Sequence, residues 1–163
     1  ITYSEFLGEI KTALILNSWI NEETEEDLLE KYRVQPGDLY KIVENGKWLL
    51  NAIYNLAILI KNNEILPIVN ELKERVSKGI KKELIPMAKL EGLGRTRSRI
   101  LFNAGYKTIN DLKGADVEKL TILPMIGPTI TKKIITQVGG KIKKENGKTL
   151  GNKDLNQKTI TDF

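Results

Sequence analysis

Leu90-Glu91-Gly92-Leu93-Gly94-Arg95-Thr96-Arg97-Ser98-Arg99-Ile100-Leu101 is the stretch whose reading decides the fold of this chain. Two glycines separated by one leucine let the backbone turn tightly and approach a ligand with no Cβ in the way. The residues after Gly94 open a helix, whose first amides lack intrahelical partners and whose positive dipole end faces outward. An anion suits that position, and Arg95, Arg97 and Arg99 add charge with bidentate phosphate geometry. On a helix Arg95 and Arg99 share one side while Arg97 points away. The three therefore straddle a strand, or one of them holds this unit to its neighbour. Exposed arginines on a plain turn are the alternative.

The pattern of an apolar residue, two glycines around a second apolar residue and then a helix resembles the helix-hairpin-helix motif of non-sequence-specific DNA binders. A degenerate copy follows as Leu123-Pro124-Met125-Ile126-Gly127-Pro128-Thr129-Ile130-Thr131-Lys132-Lys133-Ile134. Met125 stands where the first glycine is expected, so this turn should approach a backbone less closely. It is expected to pack as the pseudo-symmetric partner of the first, with Gly127, Lys132 and Lys133 as diffuse phosphate contacts. A connecting helix of about Ile109 to Leu120 should join the two.

Upstream the periodicity is helical and no stretch sustains strand-type alternation. Helices are predicted over 4–19, from the acidic run at Asn21–Asp27 to Arg33, from a cap at Asp38 to about Lys61, and over 67–84, with Pro86 marking a joint. The fold class is all-α: a helical bundle with a long central helix, a small tandem helix-hairpin-helix domain, and a disordered tail. The expected boundaries are 1–85, 86–142 and 143–163. On the long helix Leu39, Ile42, Val43, Gly46, Leu50, Ile53, Ala57 and Ile60 fall on one stripe. Trp48 and Lys41 lie on the opposite side, about two turns apart. Trp48 either packs against another helix or offers a stacking platform for a nucleobase, with Lys41 neutralising a nearby phosphate.

Charge follows the same division. Residues 1–85 carry 11 basic and 14 acidic side chains, whereas residues 86–144 carry 12 basic and 4 acidic. A compact basic block behind a mildly acidic one is the pattern of a module that meets a polyanion, with a solvated Lys-rich surface as the alternative. The chain has no Cys and no His, which removes thiolate zinc sites, disulfides, and the commonest general base and metal ligand. No apolar run approaches the roughly 18 residues of a membrane span. Opening at Ile1, the chain reads as a piece of something longer.

Several segments together resemble the C-terminal region of an archaeal Ski2-like superfamily 2 DNA helicase of the Hjm type, related to metazoan HelQ. They are Pro36–Glu44, Lys47–Leu50, Leu72–Val76, Gly79–Ile80, Glu83–Pro86 and Gly92–Gly105. The resemblance implies that the long helix is a "ratchet" helix lying along translocating single-stranded DNA, contacting it through Lys41 and Trp48. The family usually has Arg at the position of Lys41, so a bidentate contact becomes a point-charge contact. It further implies that the hairpin domain, through Arg95, Arg97 and Arg99, binds the emerging 3′ tail and restrains unwinding. The parent would be an ATP-dependent 3′–5′ helicase of replication-fork repair and recombination, in the archaeal cytoplasm and on its nucleoid. Single-stranded and forked DNA and the parent's motor domains are the implied partners. No G-x-x-x-x-G-K-[ST] string occurs, so ATP and Mg²⁺ belong to those motor domains and this fragment should neither hydrolyse ATP nor unwind DNA.

The final residues Gln157-Lys158-Thr159-Ile160-Thr161-Asp162-Phe163 resemble a sliding-clamp (PCNA) interaction box, in which Gln157, Ile160 and Phe163 plug an apolar pocket. The usual second aromatic is absent. A protein-interaction module, with hairpins that dock a partner and a tail that docks the clamp, is the rival reading. A self-contained nuclease or glycosylase lacks a plausible metal-carboxylate or base-flipping pocket.

Overall fold

The computed structural model describes residues 1–139. Every regular element among them is helical. The first four are α1 (Tyr3–Ile20), α2 (Glu25–Tyr32), α3 (Pro36–Leu59) and α4 (Ile65–Lys78). A 3-10 turn at Lys82–Leu84 then runs into α5 (Ile85–Ala88), followed by α6 (Arg95–Asn103), α7 (Ile109–Lys113), α8 (Val117–Thr121) and α9 (Gly127–Val138). The expected all-α architecture is present. The tail expected at 143–163 and the clamp-like residues Gln157, Ile160 and Phe163 lie outside the described residues.

Local chemistry sets the helix ends. Thr2, Thr24 and Thr108 each accept from an amide one turn on, and Glu5, Asp27 and Asp111 reach back to complete three reciprocal capping boxes. The expected cap of α3 by Asp38 is corrected: Gln35 is the capping residue without using its side chain, and Pro36 occupies the first position, where its missing N–H costs nothing. Asp38 instead sits in the first turn, where its charge suits the dipole. The helix expected over 67–84 ends at Lys78, because Gly79 adopts a left-handed φ of 62° and closes it. The connecting helix expected over 109–120 is two helices. Gly114 ends α7, and the Asp116 side chain accepts from the Glu118 amide at 2.9 Å to start α8.

Two separate cores result. Ile15, Ile20, Leu28, Val34, Leu39, Val43 and Val76 form the first, from α1 to α4. The α3 helix can approach α1 and α4 closely because of Gly46, where a Cβ would lie 3.3 Å from Leu16 and 3.4 Å from Val76. Ile60, placed on the same stripe by the sequence, falls beyond the end of α3 and is exposed. The second core begins at Ile80 and includes Leu84, Met87, Leu93, Leu101, Leu112, Leu120, Ile126, Ile134 and Ile135. Each such side chain, fully withdrawn from water, contributes about 1.5–3 kcal/mol. The two hairpin copies superpose in pattern: Leu93 and Ile126 are buried, as are Ser98 and Thr131, and Leu101 and Ile134.

Candidate nucleic-acid interface

In the first hairpin Gly92 takes φ +83°, the left-handed conformation that glycine adopts freely. The Leu93 amide donates to the Leu90 carbonyl at 3.1 Å and closes the turn, which buries Leu93 beneath it. Gly94 is then the capping residue of α6, with no capping side chain and no atom within 4 Å of where its Cβ would be. The first turn of α6 is thus open to an approaching group. Lys78, Lys89, Gly92, Gly94 and Arg97 line a shallow groove of about 590 Å³ over this turn. Glu91, on the same groove, is paired to Lys133 at 3.0 Å.

Arg97 ties the two copies together. Its Nε donates to the Met125 carbonyl at 2.8 Å and its Nη1 to the Gly92 carbonyl at 2.9 Å. Both partners are neutral, so among the described residues its charge is not offset by a carboxylate ion pair. The second turn follows the first despite its sequence: Met125 takes φ +60° at the position equivalent to Gly92, and its side chain stands exposed. Gly127 begins α9 and Pro128 follows it, so one amide of that first turn is missing. Lys132 is exposed, whereas Lys133 is engaged by Glu91.

Arg95 and Arg99 do not line the groove. They share a face of α6 and turn toward the helical bundle. Arg99 Nε lies 2.6 Å and Nη2 2.8 Å from the two Glu22 carboxylate oxygens, and Nη2 also reaches Glu83 at 2.8 Å. The Arg95 guanidinium stacks 4.5 Å over the Trp19 ring and donates to the Glu23 carbonyl. The open pocket expected around all three arginines is therefore formed with Arg97 alone of the three. Burial pushes the Glu22 carboxyl up, but the Arg99 hydrogen bonds, the Lys81 amide and the arginine's charge outweigh it and hold the group below the ordinary Glu range. Glu83 is likewise raised by burial and brought below that range, chiefly by its hydrogen bond from Arg99.

Trp48 stands on the solvent side of α3, 72% exposed, rather than against another helix. It borders a recess of about 350 Å³ with Lys47, Asn51, Lys73 and Ser77. Lys47 is paired with Glu44 at 2.7 Å, and Lys73 donates to Asn51 and lies 5.3 Å over the Tyr54 ring. Lys41 is exposed on the same helix, with Asp38 at 3.7 Å. Ser77, which lines one recess, and Lys78, which lines the other, are consecutive residues at the end of α4.

Two family descriptions match this chain: "Archaeal helicase, domain 4" over residues 1–79 and "SAM-like Helix-hairpin-helix tandem" over residues 83–139. Proteins named ATP-dependent DNA helicase Hel308 align along most of it. That of Pyrococcus abyssi is 39% identical over 140 residues, covering 85% of this chain and 20% of its own length. That of Caldivirga maquilingensis is 41% identical over 137 residues, 83% of this chain and 18% of its own. The chain belongs to the Hel308-type archaeal helicases, as a C-terminal region. It spans about a fifth of the length of these two relatives.

Within this Hel308-type region the sequence alone points to the glycine turn, to Arg95, Arg97 and Arg99 alike, and to Trp48. It gives no sign of Glu22 or of Trp19 as a contact between modules, because both act through chain segments distant in sequence. Lys78 and Lys89 are ordinary surface lysines until α4 and the first hairpin are seen to share a groove. No group of three or more metal-ligating side chains occurs among the described residues. None of their helices is long and apolar enough to cross a membrane.

Proposed function

We propose that this Hel308-type region is a non-sequence-specific guide for single-stranded DNA. The hairpin groove holds the sugar-phosphate backbone, with Gly92, Gly94, Arg97 and, more weakly, Gly127, Lys132 and Lys133. Trp48 stacks a base and Lys41 meets a phosphate beside it. The observation that carries this reading is the uncapped first turn of α6, open above Gly94 and flanked by Lys78, Lys89 and Arg97. Those three cations have no carboxylate partner among the described residues. The relatives' printed name supplies the wider setting: an ATP-dependent DNA helicase, whose translocating strand this region would steer and restrain during fork repair and recombination. ATP and Mg²⁺ would then be held by motor domains, since this chain has no glycine-rich phosphate loop with its lysine. The Gln157–Phe163 segment is proposed to recruit a sliding clamp.

Titration of labelled oligothymidine across a salt series tests the reading. Affinity should fall steeply with salt and barely change with base sequence, because each neutralised phosphate releases counterions. A flat salt response at measurable affinity would remove the backbone-binding role. One feature favours a protein-docking module as the second reading: Phe6, Leu7, Ile10 and Leu14 leave an apolar, partly exposed face on α1. Flat Trp fluorescence on adding oligonucleotide, together with clamp binding, would support that reading.

A further inference from the structure

Three segments meet at the junction of the two modules: the end of α1, the joint that follows α4, and α6. Trp19 is fixed there by its Nε1, which donates to the Val76 carbonyl at 2.8 Å. Its ring occupies the space where a Gly79 Cβ would be, 2.4 Å away. Arg95 covers the ring from the other module. Beside it the Glu22 carboxylate accepts from Arg99 and from the Lys81 amide at 2.9 Å. Glu22 holds φ +70°, the left-handed conformation in which the chain leaves α1, as Arg33 and Lys61 do after α2 and α3. Arg99 spends its remaining reach on Glu83.

We propose that Glu22 and Arg99, with Arg95 against Trp19, form a positioning latch that sets the hairpin groove in register with Trp48, so that one strand engages both. The inference rests on the single-strand reading above and reassigns Arg95 and Arg99 from phosphate contacts to positioning residues. Each module already has its own core, and neither core contains these four side chains among its buried members. Trp19 packs at the edge of the first core, and the Arg95–Trp19 and Arg99–Glu22 contacts cross from one module to the other. What the latch supplies is therefore relative placement. Two weak sites held at a fixed spacing act on one strand as a linked pair, and the second contact becomes intramolecular. If the modules swing about the Gly79–Lys82 joint, the second site loses that advantage although both remain intact.

A length series of oligothymidine, titrated against the chain at fixed salt, tests this. Wild-type affinity should step upward at the length that first reaches the second site. Glu22→Gln and Arg99→Gln should each reduce that step by about tenfold or more while leaving the affinity for shorter oligonucleotides unchanged. The charge-swapped pair Glu22→Arg/Arg99→Glu should recover part of the step. A phosphate-contact role for Arg99 predicts the opposite for Glu22→Gln, since releasing the guanidinium would strengthen binding, and that result overturns the latch. An undiminished step in both single variants overturns it as well. Loss of affinity at every length in both variants would mean that the ion pair merely supports the fold, and would also overturn it. If the wild-type chain binds no oligonucleotide, the single-strand reading fails and the latch falls with it.

Discussion

Gly79 carries φ +62° and sits against the face of the Trp19 indole. A methyl group there meets both a disfavoured backbone conformation and a ring that is itself tied to Val76. Gly79→Ala should therefore cost well over about 1 kcal/mol, read as a lower urea midpoint with an unchanged slope. Surface side chains are tested differently. Trp48→Ala should weaken oligonucleotide binding by about 1–3 kcal/mol and leave the salt slope as it was, because stacking releases no ions. Arg97→Ala should lower the slope by about one unit, as removal of one phosphate contact requires. A parallel loss of slope in both variants would mean that Trp48 acts on charge placement rather than as a platform. Arg95→Ala, by contrast, should leave the slope near its wild-type value, since its guanidinium already lies on Trp19 and the Glu23 carbonyl.

Helices were legible in the sequence where a single residue governs the outcome, and less so where two compete. The stripe on α3 from Leu39 to Ala57 and the exposed Trp48 opposite it follow from spacing alone. So do the paired turns, because glycine pair, buried apolar residue and helix recur in order. The boundaries that moved did so for local reasons. Asp38 yielded the cap to Gln35 once Pro36 took the first helical position, and Gly79 stopped α4 before Lys81 and Lys82 could extend it. Three Thr-x-x-Asp/Glu boxes stand in the sequence as ready signals for the starts of α1, α2 and α7. Replacing Thr24 by Ala should shorten α2 and cost about 1 kcal/mol, detectable as lost amide protection over Glu25–Tyr32. The candidate site was legible in part. Arg97 and Arg99 look alike in sequence, and only the return of Glu22 to α6 separates an arginine facing neutral carbonyls from one facing carboxylates.

Across the whole molecule, the union of the modules carries a pH dependence. Glu22 and Glu83 titrate below the ordinary Glu value of about 4.3. Groups so depressed contribute their full stabilisation above that value, and it is lost as the pH falls through their lower folded-state range. Arg95 and Arg99 face them and stay positive throughout, Lys81 lies beside Glu22, and Glu25 adds negative charge near Arg95. Acidification to below the ordinary carboxylate range should therefore part the modules before either core melts. Small-angle scattering would record an increase in radius while far-UV ellipticity persists. Simultaneous loss of both signals would show that the cores and the junction fail together.

The second turn closes as the first does, even with methionine forced into a glycine's backbone conformation. Its scaffold thus keeps the berth of the first turn without that turn's glycine. Met125→Gly with Pro128→Ala would relax that backbone and restore the missing amide of the α9 first turn, and a protein so altered should grip one more phosphate than the wild-type chain, giving a handle for tuning grip.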